Sequence, residues 1–399
     1  MSRRAQAAQV AAAAGAYNWY APPSASWKVS PADAARWEAE KSLRREERAR
    51  REMIRRASSA EVLAWWSECT RCYPNDFDAF QPLTRLSPET FQKWLAASEN
   101  VRYDYHCVLN GSPLTFGIEV EFIGNLKEVA RTFHAAGLAI SPEIQVHNAV
   151  RGWNVKEDTS VPDGGEVVSP VLRDQPVHWQ QVRRALAILQ QLGCTVDNTC
   201  GMHVHLGAFR LENRSDRFRR LWQINAALED ILYRLAAPDG NRVHRGVDWT
   251  QPLSKKGYVK LGTVADFQSQ ATHVDALNFE HVGTARNTVE FRYPNSTLNH
   301  IVVQVLICLF AGIMEAACDD TLTPDNLPSA TPYGTHVDGN VVDLHDSTVR
   351  RMADLLFPRN SRSKLRLLWL YRRTRWQGEA LARESTLADL PARYPGLAA

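Results

Sequence analysis

The stretch GIEVEF at residues 117–122 has the alternation of a β-strand with one polar and one apolar face. Residues two apart in a strand point to the same side, so Glu119 and Glu121 share one face and the apolar residues between them share the other. Two carboxylates this close repel each other unless a cation lies between them. The stretch therefore predicts a half-buried strand whose polar face binds metal.

Two further segments repeat the alternation with other side chains, namely His203 and His205 in CGMHVHL and Glu290 and Arg292 in NTVEFRYP. One such pair alone is typical of an amphipathic strand with a solvated polar face, as antiparallel sheets often have. All three pairs, however, consist of the side chains that hold divalent cations and anions. Together they predict one shared metal- and anion-binding surface on an antiparallel sheet.

A fourth segment, WNVKEDTSVPDGGEVVSP at residues 153–170, contains Asp158, Ser160 and Glu166 around a Gly-rich turn. Asp and Gly are ordinary turn residues, so a plain hairpin is the alternative interpretation. Glu166 directly follows the turn and begins an apolar strand, which favours a functional carboxylate. Mixed carboxylate and imidazole ligands suit Mg²⁺, or Mn²⁺ in its place, better than zinc.

These four blocks, in this order, resemble the signature blocks of the predicted amidoligase family, carboxylate–amine ligases related to glutamine synthetase and glutamate–cysteine ligase. The resemblance covers residues 113–317. It implies an α+β fold with a glutamine-synthetase-like curved antiparallel sheet and helices packed on one face of that sheet. It also implies binding of ATP and Mg²⁺.

The resemblance assigns roles to residues of each block. The implied metal ligands, which would hold two or more Mg²⁺ ions, are Glu119, Glu121, Glu166, His203 and Glu290. The implied nucleotide-binding residues are His203, His205, Arg292, Ser160, Asn278 and Arg242. The implied catalytic residues are Arg292, which would neutralise the transferring phosphoryl group, Glu290, and Asp158 as a candidate general base for the attacking amine.

The implied activity is the ATP-dependent formation of an amide bond between a carboxylate and an amine, through an acyl phosphate. The substrates stay open between small molecules, peptides and modified macromolecules. Two alternative functions fit the same sequence. One is a metal-dependent amide hydrolase, and the other is a nucleic-acid-binding protein that uses a basic helix at residues 41–57 on a catalytically inactive scaffold. That segment has eight basic and three acidic residues, although such charges also make an ordinary solvated helix.

Composition bounds the class of protein. With 399 residues, a net charge of +3 and 44% hydrophobic residues, the chain is long enough for a sizeable core. Seven cysteines, an odd number, favour a reducing compartment, and we expect a cytoplasmic protein. The apolar run at residues 301–317 is interrupted by Gln304 and Glu315, which predicts a buried helix and not a membrane span.

The chain divides into four parts by its composition and by its pattern of apolar and polar residues. Residues 1–30 are predicted to be a disordered arm, 31–104 a helical N-terminal extension, 105–335 the catalytic domain and 336–399 a helical C-terminal extension. Within the catalytic domain, helices are predicted over residues 125–137, 174–193, 215–237 and 299–317, and two more follow at 346–357 and 361–377. The loop at residues 238–260 is either a lid over the site or a plain surface loop.

Overall fold

A computed structural model describes residues 80–145, 152–197, 199–237, 250–253, 262–320, 322 and 341–381. They belong to one compact unit, Phe77–Ala399. The predicted arm at 1–30, the basic helix at 41–57 and Arg242 lie outside the described residues, as does most of the loop at 238–260. The four-part division of the chain stays a prediction.

Within the described residues, seven strands form one antiparallel sheet. They are β1 Thr115–Ile123, β2 Asn154–Glu157, β3 Gly164–Val168, β4 Leu172–Arg173, β5 Met202–Gly207, β6 Leu277–Asn278 and β7 Thr288–Phe291. The order across the sheet is β2-β3-β1-β5-β7-β6, with β4 paired to β1. All three segments with paired polar residues therefore lie on neighbouring strands, since β5 is placed between β1 and β7.

Eight α-helices are described besides this sheet. They are α1 Pro88–Ser98, α2 Leu126–Ala135, α3 Pro176–Gln191, α4 Ser215–Leu235, α5 Val264–Gln270, α6 His300–Ala317, α7 Val341–Leu356 and α8 Ser361–Leu381. The predicted α+β class with an antiparallel sheet is confirmed. The curvature of the sheet and its likeness to glutamine synthetase stay predictions.

The helix ends follow local capping rules. Asn125 accepts a hydrogen bond from the backbone N–H of Glu128 and so begins α2, as expected for an Asn N-cap. Asn299 caps α6 in the same way. The predicted helix at 174–193 begins instead at Pro176, because the Asp174 carboxylate accepts hydrogen bonds from two backbone amides of residues 108 and 109. Helix α7 begins at residue 341, earlier than the predicted 346.

The apolar face of the sheet is the core. Ile118 and Val120, which alternate with the two glutamates of β1, are at most 1% exposed. Helices α3 and α6 cover this face through aromatic stacking: Trp179 stacks on Phe116 at 4.7 Å between centroids, and Phe310 stacks on Phe291 at 4.6 Å. The opposite face of the sheet is left for polar side chains.

Helix α6 is a core helix. By length and apolar composition it is the one described helix that could cross a membrane, but 83% of it is buried inside the protein. Its interrupting residue, Gln304, is fully buried and bonds the backbone of Asp104 through both ends of its amide, at 2.8 and 2.7 Å. The predicted buried helix is confirmed, and Gln304 has a structural reason to be there.

The residues before β1 and the C-terminal helix hold each other through a buried ion pair. Arg366 of α8 is fully buried, and its guanidinium donates to Asp104 Oδ2 at 2.8 Å and to the Val108 carbonyl at 3.1 Å. Arg362, one turn earlier, also pairs with Asp104. Helix α8 in turn contacts α1, α4 and α6. Both ends of the described chain therefore pack into the same unit as the sheet.

Replacing Asp104 by Ala is expected to destabilise the protein by about 3 kcal/mol, the lower end of the range for breaking a buried ion pair. The value is at the lower end because Asp104 is 25% exposed, whereas its partner Arg366 would be left buried without a carboxylate. Urea unfolding followed by circular dichroism measures the loss. Glu99→Ala, which removes an exposed pair with Arg372, is the matched control and should cost less than about 1 kcal/mol. Equal losses in the two variants would contradict this account of the pair.

Candidate metal centre

Strand register brings the polar side chains of four strands onto one face. Glu119 of β1 lies opposite His203 of β5, and His205 lies opposite Glu290 of β7. Glu290 in turn lies opposite Asn278 of β6. Residues directly opposite each other in an antiparallel pair point to the same side and are close enough for their side chains to interact. The sheet thus brings these polar groups onto one face from segments up to about 170 residues apart in sequence.

The carboxylates and imidazoles of this face are in direct contact. His203 Nδ1 lies 3.1 Å from Glu119 Oε2 and 3.3 Å from Glu290 Oε1. His205 Nε2 lies 3.4 Å from Glu119 Oε1. One ligand atom each from Glu119, His205 and Glu290 fall within 4.8 Å of one another, close enough to hold one metal ion. We call these three residues the triad.

The chemistry of the triad fits Mg²⁺ or Mn²⁺. Two carboxylates supply the oxygen ligands that Mg²⁺ prefers, and Mn²⁺ accepts an imidazole nitrogen beside them. A second observation points to a ligand: His203 Nε2 is buried and has no hydrogen-bond partner among the described residues. His203 Nδ1 lies against carboxylate oxygens of Glu119 and Glu290, so Nε2 is the ring nitrogen of His203 that a ligand could reach.

Both oxygens of Glu290 are oriented by neighbours. Arg292, directly after β7, donates to Oε1, and Asn278 Nδ2 donates to Oε2 at 2.8 Å. Arg292 NH1 also approaches His203 Nδ1, at 3.4 Å. Glu290 is 3% exposed. A metal-binding carboxylate held this way keeps its orientation before any ligand arrives.

Electrostatics couple the members of the triad. Burial acts to raise the pKa of Glu119, but the charge of His205 and hydrogen bonds from both histidines outweigh it and hold that pKa well below its usual value. Burial acts to lower the pKa of His205, but the charges of Glu119 and Glu290 outweigh it and raise that pKa. Glu290 has a lowered pKa because His205, His203 and Arg292 outweigh its burial. The face therefore holds its carboxylates ionised, and His205 would give up its ring proton to bind a metal there.

Glu121 and Glu166 lie on the same sheet but outside the triad. They are opposite each other in register on β1 and β3. Glu121 is 2% exposed, and its Oε2 accepts a hydrogen bond from the Gly201 amide at 2.7 Å. Glu166 Oε1 accepts from Lys156 Nζ at 2.5 Å. Burial and the nearby charge of Glu119 raise the pKa of Glu166, against the effect of Lys156. Their role as metal ligands stays a prediction.

Asp158 and Ser160 lie in the turn between β2 and β3. Asp158 Oδ1 accepts from both the backbone N–H and the hydroxyl of Ser160, at 2.8 and 2.7 Å. This is an ordinary turn contact, and it engages one oxygen of the predicted general base. The catalytic role of Asp158 and the nucleotide-binding role of Ser160 stay predictions.

Sequence reasoning did not assign three basic residues near this face. Lys156 pairs with Glu166, as described above. His281 lies with its ring centroid 6.5 Å from that of His205, and Arg286 NH1 is 3.1 Å from His281 Nε2. Burial and the charge of Arg286 lower the pKa of His281. The only sequence signal for this pair was a basic residue in the turn before β7, which is too common to single out.

Comparison with known families agrees with this geometry. Residues 112–314 match the family model described as "Putative amidoligase enzyme", which is slightly more than half of the 399 residues. The match contains β1 to β7 and every member of the triad. No curated protein matches the chain. The predicted resemblance, over residues 113–317, is confirmed, and the chain belongs to the amidoligase family.

Proposed function

We propose that the protein is an ATP- and Mg²⁺-dependent ligase that joins a carboxylate to an amine through an acyl phosphate. Membership of the amidoligase family supports a ligase. The observation that carries the cofactor proposal is the convergence of Glu119, His205 and Glu290 within 4.8 Å on one sheet face, with Arg292 beside them. Mn²⁺ would fit the same ligands.

The chemistry of amide formation explains why such a face is needed. Joining a carboxylate to an amine in water is uphill, so the acid must first be activated by phosphoryl transfer from ATP. The approaching carboxylate and the triphosphate are both negative, and catalysis of phosphoryl transfer consists mainly of positioning and charge neutralisation. A divalent cation held by the triad would supply part of that positive charge.

The protein's own residues would supply the rest. Arg292 carries a delocalised charge in a planar fork that matches phosphate oxygens. Its guanidinium contacts Glu290, which places this fork beside the triad. Asn278 and His203 hold Glu290 from two sides, so Arg292 is positioned next to a fixed carboxylate. Asp158 stays our candidate for taking the proton of the attacking amine.

We also propose a glutamine-synthetase-like fold and a cytoplasmic location for this protein. The antiparallel order of the sheet supports a glutamine-synthetase-like fold. Five cysteines among the described residues are free thiols, which are typical of a reducing compartment. This supports a cytoplasmic location. We propose an acid and an amine as the two substrates.

The test is a screen of acid and amine pairs for ADP release by the purified protein with ATP and Mg²⁺. We expect ADP only when both an acid and an amine are present, and we expect Glu119→Gln to abolish it because one carboxylate of the triad is lost. Cleavage of an amide without nucleotide would support a hydrolase instead. Nucleic-acid binding that falls steeply with salt and survives Glu119→Gln would support the binding-protein alternative.

Divalent metal alone is expected to stabilise the folded protein. Mn²⁺ at one hundred times its dissociation constant should raise the free energy of unfolding by about 2.7 kcal/mol, because it binds the assembled triad and not the unfolded chain. Thermal unfolding with and without Mn²⁺ measures the effect. Glu119→Gln should lose the stabilisation, whereas Glu157→Gln, at an exposed position on β2, should keep it. Equal stabilisation of the two variants would place the metal elsewhere.

A further inference from the structure

The strand β2, at the edge of the sheet, places one cation on the polar face. Lys156 lies opposite Glu166 in register, and its Nζ is 2.5 Å from Glu166 Oε1. The two side chains are 17% and 12% exposed, so this is a largely buried pair and not a solvated one. Neither the activity nor the family match assigns Lys156 a role.

Register places this pair beside the triad. Lys156, Glu166 and Glu121 form one row across β2, β3 and β1. Glu119 is two residues before Glu121 on the same strand, so it belongs to the next row, and diagonal neighbours of adjacent strands are roughly 7–8 Å apart. The charge of Glu119 acts on Glu166, as expected at such a distance. The two rows together therefore form one continuous charged surface.

Backbone packing holds Lys156 in this position. A Cβ on Gly165 would lie 2.2 Å from the Lys156 carbonyl oxygen, so only glycine allows β3 to approach β2 this closely. Gly165 directly precedes Glu166, which explains why the carboxylate meets the lysine. The pair is thus fixed by strand packing as well as by charge.

We propose that Lys156 takes the place of a second divalent cation, so that the nucleotide-free protein binds one divalent ion, at the triad, while the Lys156 ammonium neutralises Glu166. This inference rests on the proposed function, in which the phosphate chain of ATP would lie between the bound ion and Lys156. The geometry supports it because Glu166 already has a cation in contact and Glu121 is engaged by a backbone amide. An ammonium is a compact point charge with three donors, which can contact a carboxylate and a phosphate oxygen together.

The test counts Mn²⁺ ions bound to the full-length, nucleotide-free protein by electron paramagnetic resonance. We expect one ion in the wild type and one in Lys156→Arg, which keeps the charge. Lys156→Met should bind two, because Glu166 would then have lost the ammonium that contacts its carboxylate. Glu166→Gln should still bind one ion with unchanged affinity, whereas His205→Ala should lose at least about tenfold in affinity.

Several outcomes would overturn the inference. Two ions in the wild type, or weakened binding in Glu166→Gln, would show that Glu166 binds metal beside Lys156. One ion in Lys156→Met would show that Lys156 does not take the place of an ion. These outcomes leave the ligase proposal standing. No bound Mn²⁺ in any form would remove both this inference and the metal part of the proposed function. Thermal unfolding checks that each variant is folded, and Lys156→Gln replaces Lys156→Met if the latter is not.

Discussion

Replacing Glu290 by Gln is expected to lower ADP release by about 10³-fold, the upper range for loss of one preorganised charged group in an active site. Glu290 belongs to the triad and is held by His203, Arg292 and Asn278. An amide at this position keeps the shape but removes the charge that attracts the cation. It would also leave Arg292 beside a neutral group.

Mn²⁺ binding should weaken in the same variant by at least about tenfold, since a ligand and not merely its support is lost. ADP release with the best acid and amine pair, together with Mn²⁺ titration, measures both effects. Glu280→Gln is the matched control, because Glu280 lies two residues from Asn278 but is 40% exposed and pairs with His273. Glu290→Gln with the activity and the Mn²⁺ affinity of the control would contradict the site.

Replacing Arg292 by Met is expected to lower ADP release by about 10²-fold while Mn²⁺ binding is retained. Arg292 is not a metal ligand here; it is the cation in contact with Glu290 Oε1. Without this guanidinium, the charge of the Glu290 carboxylate is no longer partly neutralised. The affinity for Mn²⁺ should therefore stay the same or increase. Activity and metal binding should therefore separate in this variant, whereas they fall together in Glu290→Gln.

The conservative variant Arg292→Lys refines this prediction. Lysine restores the charge but not the planar fork that matches two phosphate oxygens, so activity should recover only in part. Full activity in Arg292→Lys would mean that charge alone is needed. Full activity in Arg292→Met would show that Arg292 does not contact the transferring phosphoryl group.

Period-two alternation was enough to predict β1 and the shared face of its two glutamates, because that property is local. It could not show that Glu121 and Glu119 differ in their surroundings. Glu121 is engaged by the amide of Gly201, which lies 80 residues away in sequence. Such a contact depends on strand register, which a single sequence does not contain.

Register also decides which histidine joins the triad. The spacing of His203 and His205 places both on one face, but it does not say which carboxylate each one meets. The structure pairs His205 with Glu290 and His203 with Glu119, and it is His205 whose ring nitrogen joins the group of three. The family resemblance implies metal binding by His203 and nucleotide binding by both histidines, and these roles stay predictions.

Contacts between residues distant in sequence could not be predicted in the terminal segments either. The sequence predicts helical extensions at residues 31–104 and 336–399, and helices α1, α7 and α8 lie within these ranges. It gave no sign that Asp104 and Arg366, 262 residues apart, form a buried ion pair. A buried arginine in a helix otherwise looks like a solvated one, because its partner is known only when the chain has folded.

Three strands bring Glu119, His205 and Glu290 together, and we propose that these residues hold the divalent ion that serves ATP. A crystal structure with Mn²⁺ and a non-hydrolysable ATP analogue, with anomalous scattering used to locate manganese, tests it most directly. The account predicts a manganese peak bonded to all three side chains, with the terminal phosphate of the analogue next to Arg292. Manganese or nucleotide bound at another surface of the protein, with these residues contacting neither, would contradict it.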